Sequence, residues 1–227
     1  MPEELELIAQ GRAADVFAYG DGRVLRRYRT EHDVSYEADV MRYVHEHGYP
    51  VPTVIAANGR DMVMERLSGT PMLEDFSKHP WRLYRHARTL ADLHKQLHAI
   101  PPPPWLKPKL GGGTAIVHLD LHPLNVMVTD KGPVVIDWSN AGLGPPDAET
   151  ADLWLLMSNA DIPGSGVVHR LIRWGRGLFL RAFMKHVDKT AVRKHLRLAA
   201  AARMKDRNMT EAEIARMRAF VERWALD

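Results

Sequence analysis

The chain contains no cysteine. Disulfides, thiolate metal centres and cysteine nucleophiles are therefore excluded. It also lacks any apolar run of about 18 residues, the least that crosses a bilayer as a helix, so a membrane span is not expected. No internal repeat is present. Its first ten residues, MPEELELIAQ, are acidic where a secretory signal is basic and then apolar. A cytoplasmic location is the expectation.

The 227 residues are 45% hydrophobic and 26% charged, ordinary values for a globular protein. That length buries a sizeable core, as one large domain or two small lobes. The net charge of +3 conceals an asymmetry. Residues 160–227 carry 15 Lys and Arg against 7 Asp and Glu; residues 1–159 carry 16 against 21. A basic final third attracts anions, nucleic acid or a membrane surface. Solvated helix faces account for the same charge, and on this count nucleic acid stays open as a partner.

Residues 1–67 read as a small β-rich unit. LELIAQ, DVFAY and VLRRY are strand candidates between glycine-containing turns. Residues 33–47 follow helical spacing through Val34, Ala38, Met41 and Val44 or His45, and Gly48 and Pro50 end the helix. TVIAA and MVMER are two further strands, split at Asn58-Gly59. Residues 68–227 are mainly helical. Trp81 to Ile100 is a long helix candidate, followed by a stiff-then-flexible loop at 101–113. Four more helices are expected near 147–159, from Gly166, over 189–206 and over 210–225. Thr210 with Glu213 forms a capping box at the start of the last. Val168, Leu171, Ile172, Phe179 and Phe183 make the apolar stripe of the second, with Arg170, Arg173, Arg176 and Arg181 beside it.

The stretch HLDLHPLNVMVTDKGPVVIDW, residues 118–138, concentrates the chemistry. Phosphoryl transfer from ATP needs a carboxylate to take the acceptor's proton and hard oxygens for Mg²⁺. It also needs cations and amides for the phosphates. Asp120 is the candidate base. Asn125 and Asp137 are candidate metal ligands, on the rims of two apolar strands. If those strands pair through a turn at Thr129–Pro133, all three residues meet at one point.

This stretch resembles the catalytic segment of the aminoglycoside phosphotransferase and choline kinase-like enzymes. The resemblance implies an α+β, bilobal, protein-kinase-like fold. Its small N-terminal lobe has an antiparallel sheet with one helix; its larger C-terminal lobe is mainly helical. HLDLHPLNVMV matches the family's catalytic loop and VVIDW its metal-binding segment. LHAI at 97–100, MVMERLSG at 62–69, GRAADVFAYGDGRVLRRY at 11–28 and SYEADVMRYV at 35–44 extend the likeness. By this resemblance Asp120 is the catalytic base, and Asn125 and Asp137 bind Mg²⁺. Arg26 is the phosphate-binding cation and Glu37 holds it. The backbone of Glu65, Arg66 and Leu67 faces the base of ATP, with GTP equally open. The implied activity is phosphotransfer to a hydroxyl of a small molecule. Strand alternation places Val24 and Arg26 on one face, with Glu37 on the next helix. Leu119 stands where the family commonly has Gly.

Other residues carry competing readings. His118 is a brace for the loop rather than a proton carrier. His122 touches phosphate or caps a turn. Asp152 orients the catalytic loop or complements the helix dipole. His94 and His98, at i and i+4, have the spacing of a metal pair, but with no Glu between them and no third ligand nearby zinc is not expected. Trp138 reads as core. A choline acceptor needs an aromatic cage, with Trp154, Trp174 and Trp224 as candidates. An aminoglycoside needs an acidic pocket, which the basic C-terminal helices do not suggest. A protein kinase, an inactive nucleotide-binding regulatory module and an RNA-associated kinase are the rival functions. Only about ten residues separate Asp137 from the next helix, too few for a long activation loop.

Overall fold

In the computed structural model, residues 5–11, 13–159, 166–205 and 210–226 are described. The chain opens with a five-stranded antiparallel sheet: β1 (Leu7–Gln10), β2 (Ala14–Ala18), β3 (Arg23–Tyr28), β4 (Val54–Asn58) and β5 (Asp61–Glu65), in the order β1-β2-β3-β5-β4. Helix α1 (Ser35–Glu46) runs between β3 and β4. Its stripe of Ala38, Met41 and Val44 joins Val34, Val24, Met62 and Met64 in the core, and His45 stays exposed. On β3 the alternation puts Val24, Arg26 and Tyr28 on one side.

The loop at 101–113 ties α1 to the helical part. Tyr43 donates to the Pro101 carbonyl at 2.8 Å, the Lys107 amide donates to the Tyr36 hydroxyl at 3.1 Å, and Trp105 meets both rings edge-on.

A three-stranded sheet follows, from β6 (Gly69–Pro71), β8 (Val126–Thr129) and β9 (Gly132–Val135), with a two-stranded one from β7 (Ala115–Val117) and β10 (Gly142–Gly144). Between β6 and β7 lie α2 (Met72–Lys78), a short 3₁₀ turn at Pro80–Arg82 and α3 (Leu83–Ala99). Strands β6, β7 and β10 are three residues each and, with α2, are additions to the sequence reading. The chain crosses closely where β7 meets β10: a Cβ at Gly113 would lie 2.1 Å from the Gly144 carbonyl carbon, so only glycine fits.

The rest is α4 (Pro146–Asn159), α5 (Gly166–Phe183), α6 (Lys189–Arg203) and α7 (Glu211–Trp224). Asp188 caps α6 by accepting from Thr190 and Ala191. The capping box on α7 is present in both directions: Glu213 N–H donates to Thr210 Oγ1 at 3.2 Å and Thr210 N–H to Glu213 Oε2 at 2.8 Å. The stripe expected on α5 holds at its C-terminal end. Phe179 and Phe183 are fully buried, Ile172 is 49% exposed, and Val168 and Leu171 lie outside the described side chains. The expected end of the third helix, near 206, also lies outside the described residues.

Candidate active site

Strands β8 and β9 pair in register, Val126 opposite Val135 and Thr129 opposite Gly132, with Asp130 and Lys131 in the turn. Asn125 therefore stands just before the hairpin and Asp137 just after it, at the same end. The Ile136 amide donates to the Asn125 carbonyl at 3.0 Å and fixes that juxtaposition. Asn125 Nδ2 donates to the Asp120 carbonyl at 2.8 Å and to Asp120 Oδ2 at 3.0 Å. Both amide hydrogens are thereby used. Asn125 Oδ1 takes no donor among the described residues.

His118 braces this loop. Its Nδ1 accepts from the Asp120 amide at 3.3 Å and its Nε2 faces the Ile136 carbonyl at 3.1 Å, which describes a neutral ring with one proton. Complete burial lowers its basicity, which agrees with that tautomer even though Glu149, Asp120 and Asp137 act in the opposite direction. Trp138 is wholly buried, its ring 4.7 Å from that of His118.

Burial acts against ionisation of Asp120, but a hydrogen bond and charge from His122, with His118 and Arg203 adding, hold its carboxyl below the usual value. His122 does two things. Its Nε2 is 3.4 Å from Asp120 Oδ1, and its Nδ1 accepts from the Leu124 amide at 3.3 Å, closing the turn.

The cation is assembled from the sheet. Arg26 donates to Glu37 Oε1 at 2.7 Å, to the Tyr28 hydroxyl, and at 3.4 Å to Asp137 Oδ1. Tyr28 donates to Glu37 Oε2 at 3.1 Å. Burial, then the Glu37 charge, pushes the Tyr28 phenol up to about 12, so it remains a neutral donor. Glu37 also accepts from the Trp138 amide at 3.1 Å. One buried carboxylate thus joins the sheet, α1 and the Asp137 segment. Asp137 has φ 64° and accepts from Ser139 Oγ at 3.0 Å.

Of these groups Arg26, Tyr28, Asp120, His122, Asp137 and Ser139 line one cleft of about 990 Å³ between the sheet and the helical part, while Asn125, Glu37 and His118 stand behind its lining. Val16, Val24, Met64, Met127 and Ile136 supply its apolar end. Glu65, Arg66 and Leu67 lie on its wall. The amides of Glu65 and Arg66 are spent on the Thr53 and Gly22 carbonyls, both at 2.9 Å. The Leu67 amide takes no partner among the described residues. The cleft's other wall carries Lys109, His122, Asp152 and Arg203. Arg203 of α6 grips Asp152 through two hydrogen bonds, at 2.6 and 2.5 Å.

Asp152 does not hold the catalytic loop. Glu149, one turn earlier on α4, does: its Oε1 accepts from the His118 amide at 2.5 Å and the Leu119 amide at 2.7 Å. Leu119 has a left-handed φ of 60°, costly for a residue other than glycine. Sequence reasoning missed Glu149. Nothing in the sequence singles it out, because it is one of three acids, with Asp147 and Asp152, in the first two turns of α4. The two histidines of the zinc reading do find a third group here, since Glu149 meets both His94 and His98. The three tryptophans do not form a cage. Trp154 packs on Phe220 and Trp224, whereas Trp174 is 63% exposed and has no ring partner among the described residues.

A model of the phosphotransferase enzyme family matches residues 4–111 and 104–187. An aminoglycoside 3'-phosphotransferase of Streptomyces fradiae is 32% identical over 73 residues, 30% of this chain; the match spans about a quarter, 26%, of that relative. Among solved structures, a choline/ethanolamine kinase family protein of Mesorhizobium loti superposes with a TM-score of 0.61 at 17% identity, covering 96% of this chain and 88% of the other. A thermostable mutant of an aminoglycoside phosphotransferase, in ternary complex with AMP-PNP and hygromycin B, gives 0.55 at 16% identity, covering 97% and 92%. The protein-kinase-like α+β fold expected from the sequence is the fold observed. No described helix is long and apolar enough to cross a membrane.

Proposed function

The chain belongs to the phosphotransferase enzyme family, and from that premise we propose that it moves the γ-phosphoryl group of ATP to a hydroxyl of a small molecule, in a Mg²⁺-dependent reaction. The observation that carries this reading is one cleft lined by Asp120, Asp137 and Arg26, with Arg26 bonded to Asp137 and Asn125 bonded to Asp120. Asp120 accepts the acceptor's proton as its oxygen attacks the γ-phosphorus. The bond to the β-phosphate oxygen breaks, and its electron pair leaves with ADP. Arg26, steadied by Glu37 and Tyr28, places its charge against the phosphates. The apolar end of the cleft receives the base, and the Leu67 amide is the donor left for its edge.

The residues fit a hard divalent cation. Asn125 is turned so that its carbonyl oxygen is the unspent atom, and Asp137 is an exposed carboxylate at the same end of the hairpin. When bound, Mg²⁺ supplies positive charge to the phosphate oxygens and the leaving group. The relative solved with AMP-PNP supports the nucleotide assignment.

The acceptor we propose is neutral or anionic. Arg203 neutralises Asp152, and Lys109 and His122 stand on the same wall. An acceptor with several ammonium groups would meet little free carboxylate there beyond Asp120. The eight residues between Asp137 and α4, 138–145, leave no long activation loop of the protein-kinase kind.

ADP release measured across sugars, nucleosides, phosphorylated metabolites, choline and aminoglycosides tests this. Mg²⁺-dependent release stimulated by a hydroxyl compound, and lost in Asp120→Asn, is the expected result. No stimulation by any of them, with no nucleotide binding, would reject it.

A further inference from the structure

Inside the core, behind the catalytic loop, His94 and His98 of α3 meet Glu149 of α4. Glu149 Oε1 is occupied by the two loop amides. Its Oε2 lies 2.5 Å from His98 Nε2 and 3.3 Å from His94 Nδ1. The other nitrogen of His94, Nε2, lies 3.3 Å from the Leu121 carbonyl. Both nitrogens of this ring therefore face oxygen acceptors. A neutral imidazole has one N–H and would set a nitrogen lone pair against an oxygen lone pair, in a site where His94 is 2% exposed. A ring protonated on both nitrogens satisfies both contacts and balances the buried carboxylate. His98 needs only one N–H. A metal ion is the other way to resolve two facing lone pairs, but two ligands of one tetrahedral zinc stand roughly 3.3 Å apart. The 2.5 Å between His98 Nε2 and Glu149 Oε2 is too short for that.

We propose that His94 is a positioning residue for phosphotransfer: as an imidazolium bonded to Glu149 and to the Leu121 carbonyl, it clamps the catalytic loop on both sides of Asp120. This rests on the reading of Asp120 as the base. Through Glu149 it anchors the Leu119 amide before Asp120, and directly it anchors the Leu121 carbonyl after it. Leu119 needs such an anchor, because a left-handed leucine persists only where its surroundings dictate it. Burial opposes ionisation of Glu149, yet hydrogen bonds and charge from His94 and His98 hold its carboxyl well below the ordinary range. The other titratable groups around the cluster are His118 in the loop, Asp152 on α4, and Tyr49, whose hydroxyl donates to the Leu93 carbonyl at 3.2 Å. Phe183 of α5 covers the ring with an edge. Removal of the proton leaves one of the two anchors as a repulsion, and the loop loosens while the nucleotide site stays in place.

The test uses the full chain with ring-¹⁵N histidine, followed by NMR against pH, beside the hydrolysis of ATP·Mg²⁺ with water as acceptor. At neutral pH one buried histidine, assigned to His94 by its loss in His94→Gln, shows protons on both nitrogens. As pH rises, kcat for hydrolysis falls along the same curve as that signal, with KM for ATP within about twofold. His94→Gln lowers kcat by about tenfold or more and no longer follows that curve. In Glu149→Gln the amide nitrogen donates towards the rings, so His94 keeps a single proton and the doubly protonated signal disappears. A His94 ring with one bare nitrogen in the wild type, a bound equivalent of zinc in its place, or unchanged kcat in a folded His94→Gln would each overturn the proposal. A wild type that hydrolyses no ATP speaks against the proposed function, while the NMR signal still decides the protonation of His94.

Discussion

At Asp120 a carboxylate sits in a largely enclosed loop and is nevertheless kept ionised. Its depressed value means that the charged form is complete above the ordinary 3.8 and is lost only as pH falls beneath it. An acid limb in kcat/KM that belongs to Asp120 is therefore expected below pH 3.8. Replacing His122 by Ala removes the neighbour that lowers it most, so the limb should move upward; a pH–rate profile of the two proteins checks the direction. Asp120→Asn keeps the shape and removes the base. Its turnover should fall by about 10² to 10⁴, with nucleotide binding retained by calorimetric titration. Retained turnover would mean that the proton goes elsewhere. That Asp120, Asn125 and Asp137 stand together was readable because their spacing is local to one hairpin. The role of Leu119 was not: only the backbone shows that a leucine has taken the left-handed conformation glycine adopts freely.

Among the elements, α3 and α4 decide how firmly the loop is held. Glu149 receives four donors, two from the loop and two from histidines. Truncation to Ala orphans them in the core, and a loss of about 3 kcal/mol or more is expected in chemical denaturation. The pH dependence follows from the sign of its shift. A carboxyl depressed in the folded state stabilises fully above its unfolded value and less as pH falls towards its folded one. The difference in Tm between wild type and Glu149→Gln should be widest above pH 4.5 and narrow on acidification. A gap that grew in acid would contradict the assignment. The long elements were legible from periodicity: α1, α3 and β1 to β5 all stand where apolar spacing put them, give or take two residues at their ends. Strands of three residues carry no period to read, so β6, β7 and β10 were not found. The Glu149 cluster was hidden for another reason. His94 and Glu149 are 55 residues apart, and only packing brings them together. Ile172 misled because periodicity shows that a helix has an apolar face, not how much of its length is covered.

For the molecule as a whole, two sources of charge meet at the cleft. Asp120 and Asp137 come from residues before 160, and the basic wall is completed by Arg203 from the positive final third. Breaking that wall should change acceptor preference: Arg203→Met frees Asp152, and stimulation of ADP release by cationic compounds should rise relative to neutral ones. Equal ratios in the two proteins would show that Arg203 does not set the charge of the acceptor. The overall architecture was legible because the catalytic stretch and the sheet each carry a readable pattern. The acceptor was not, since it depends on which side chains of distant helices face one wall. The most direct measurement on the central claim is thermal unfolding with ATP, with and without Mg²⁺, for the wild type and Asp137→Ala. Ligand at about 100 times its Kd adds about 2.7 kcal/mol to the native state, a rise of roughly 5 to 10 °C for a chain of this size. The account predicts that rise with ATP and Mg²⁺ together in the wild type and its loss in Asp137→Ala. An equal rise in both proteins, or none in a well-folded wild type, would contradict it.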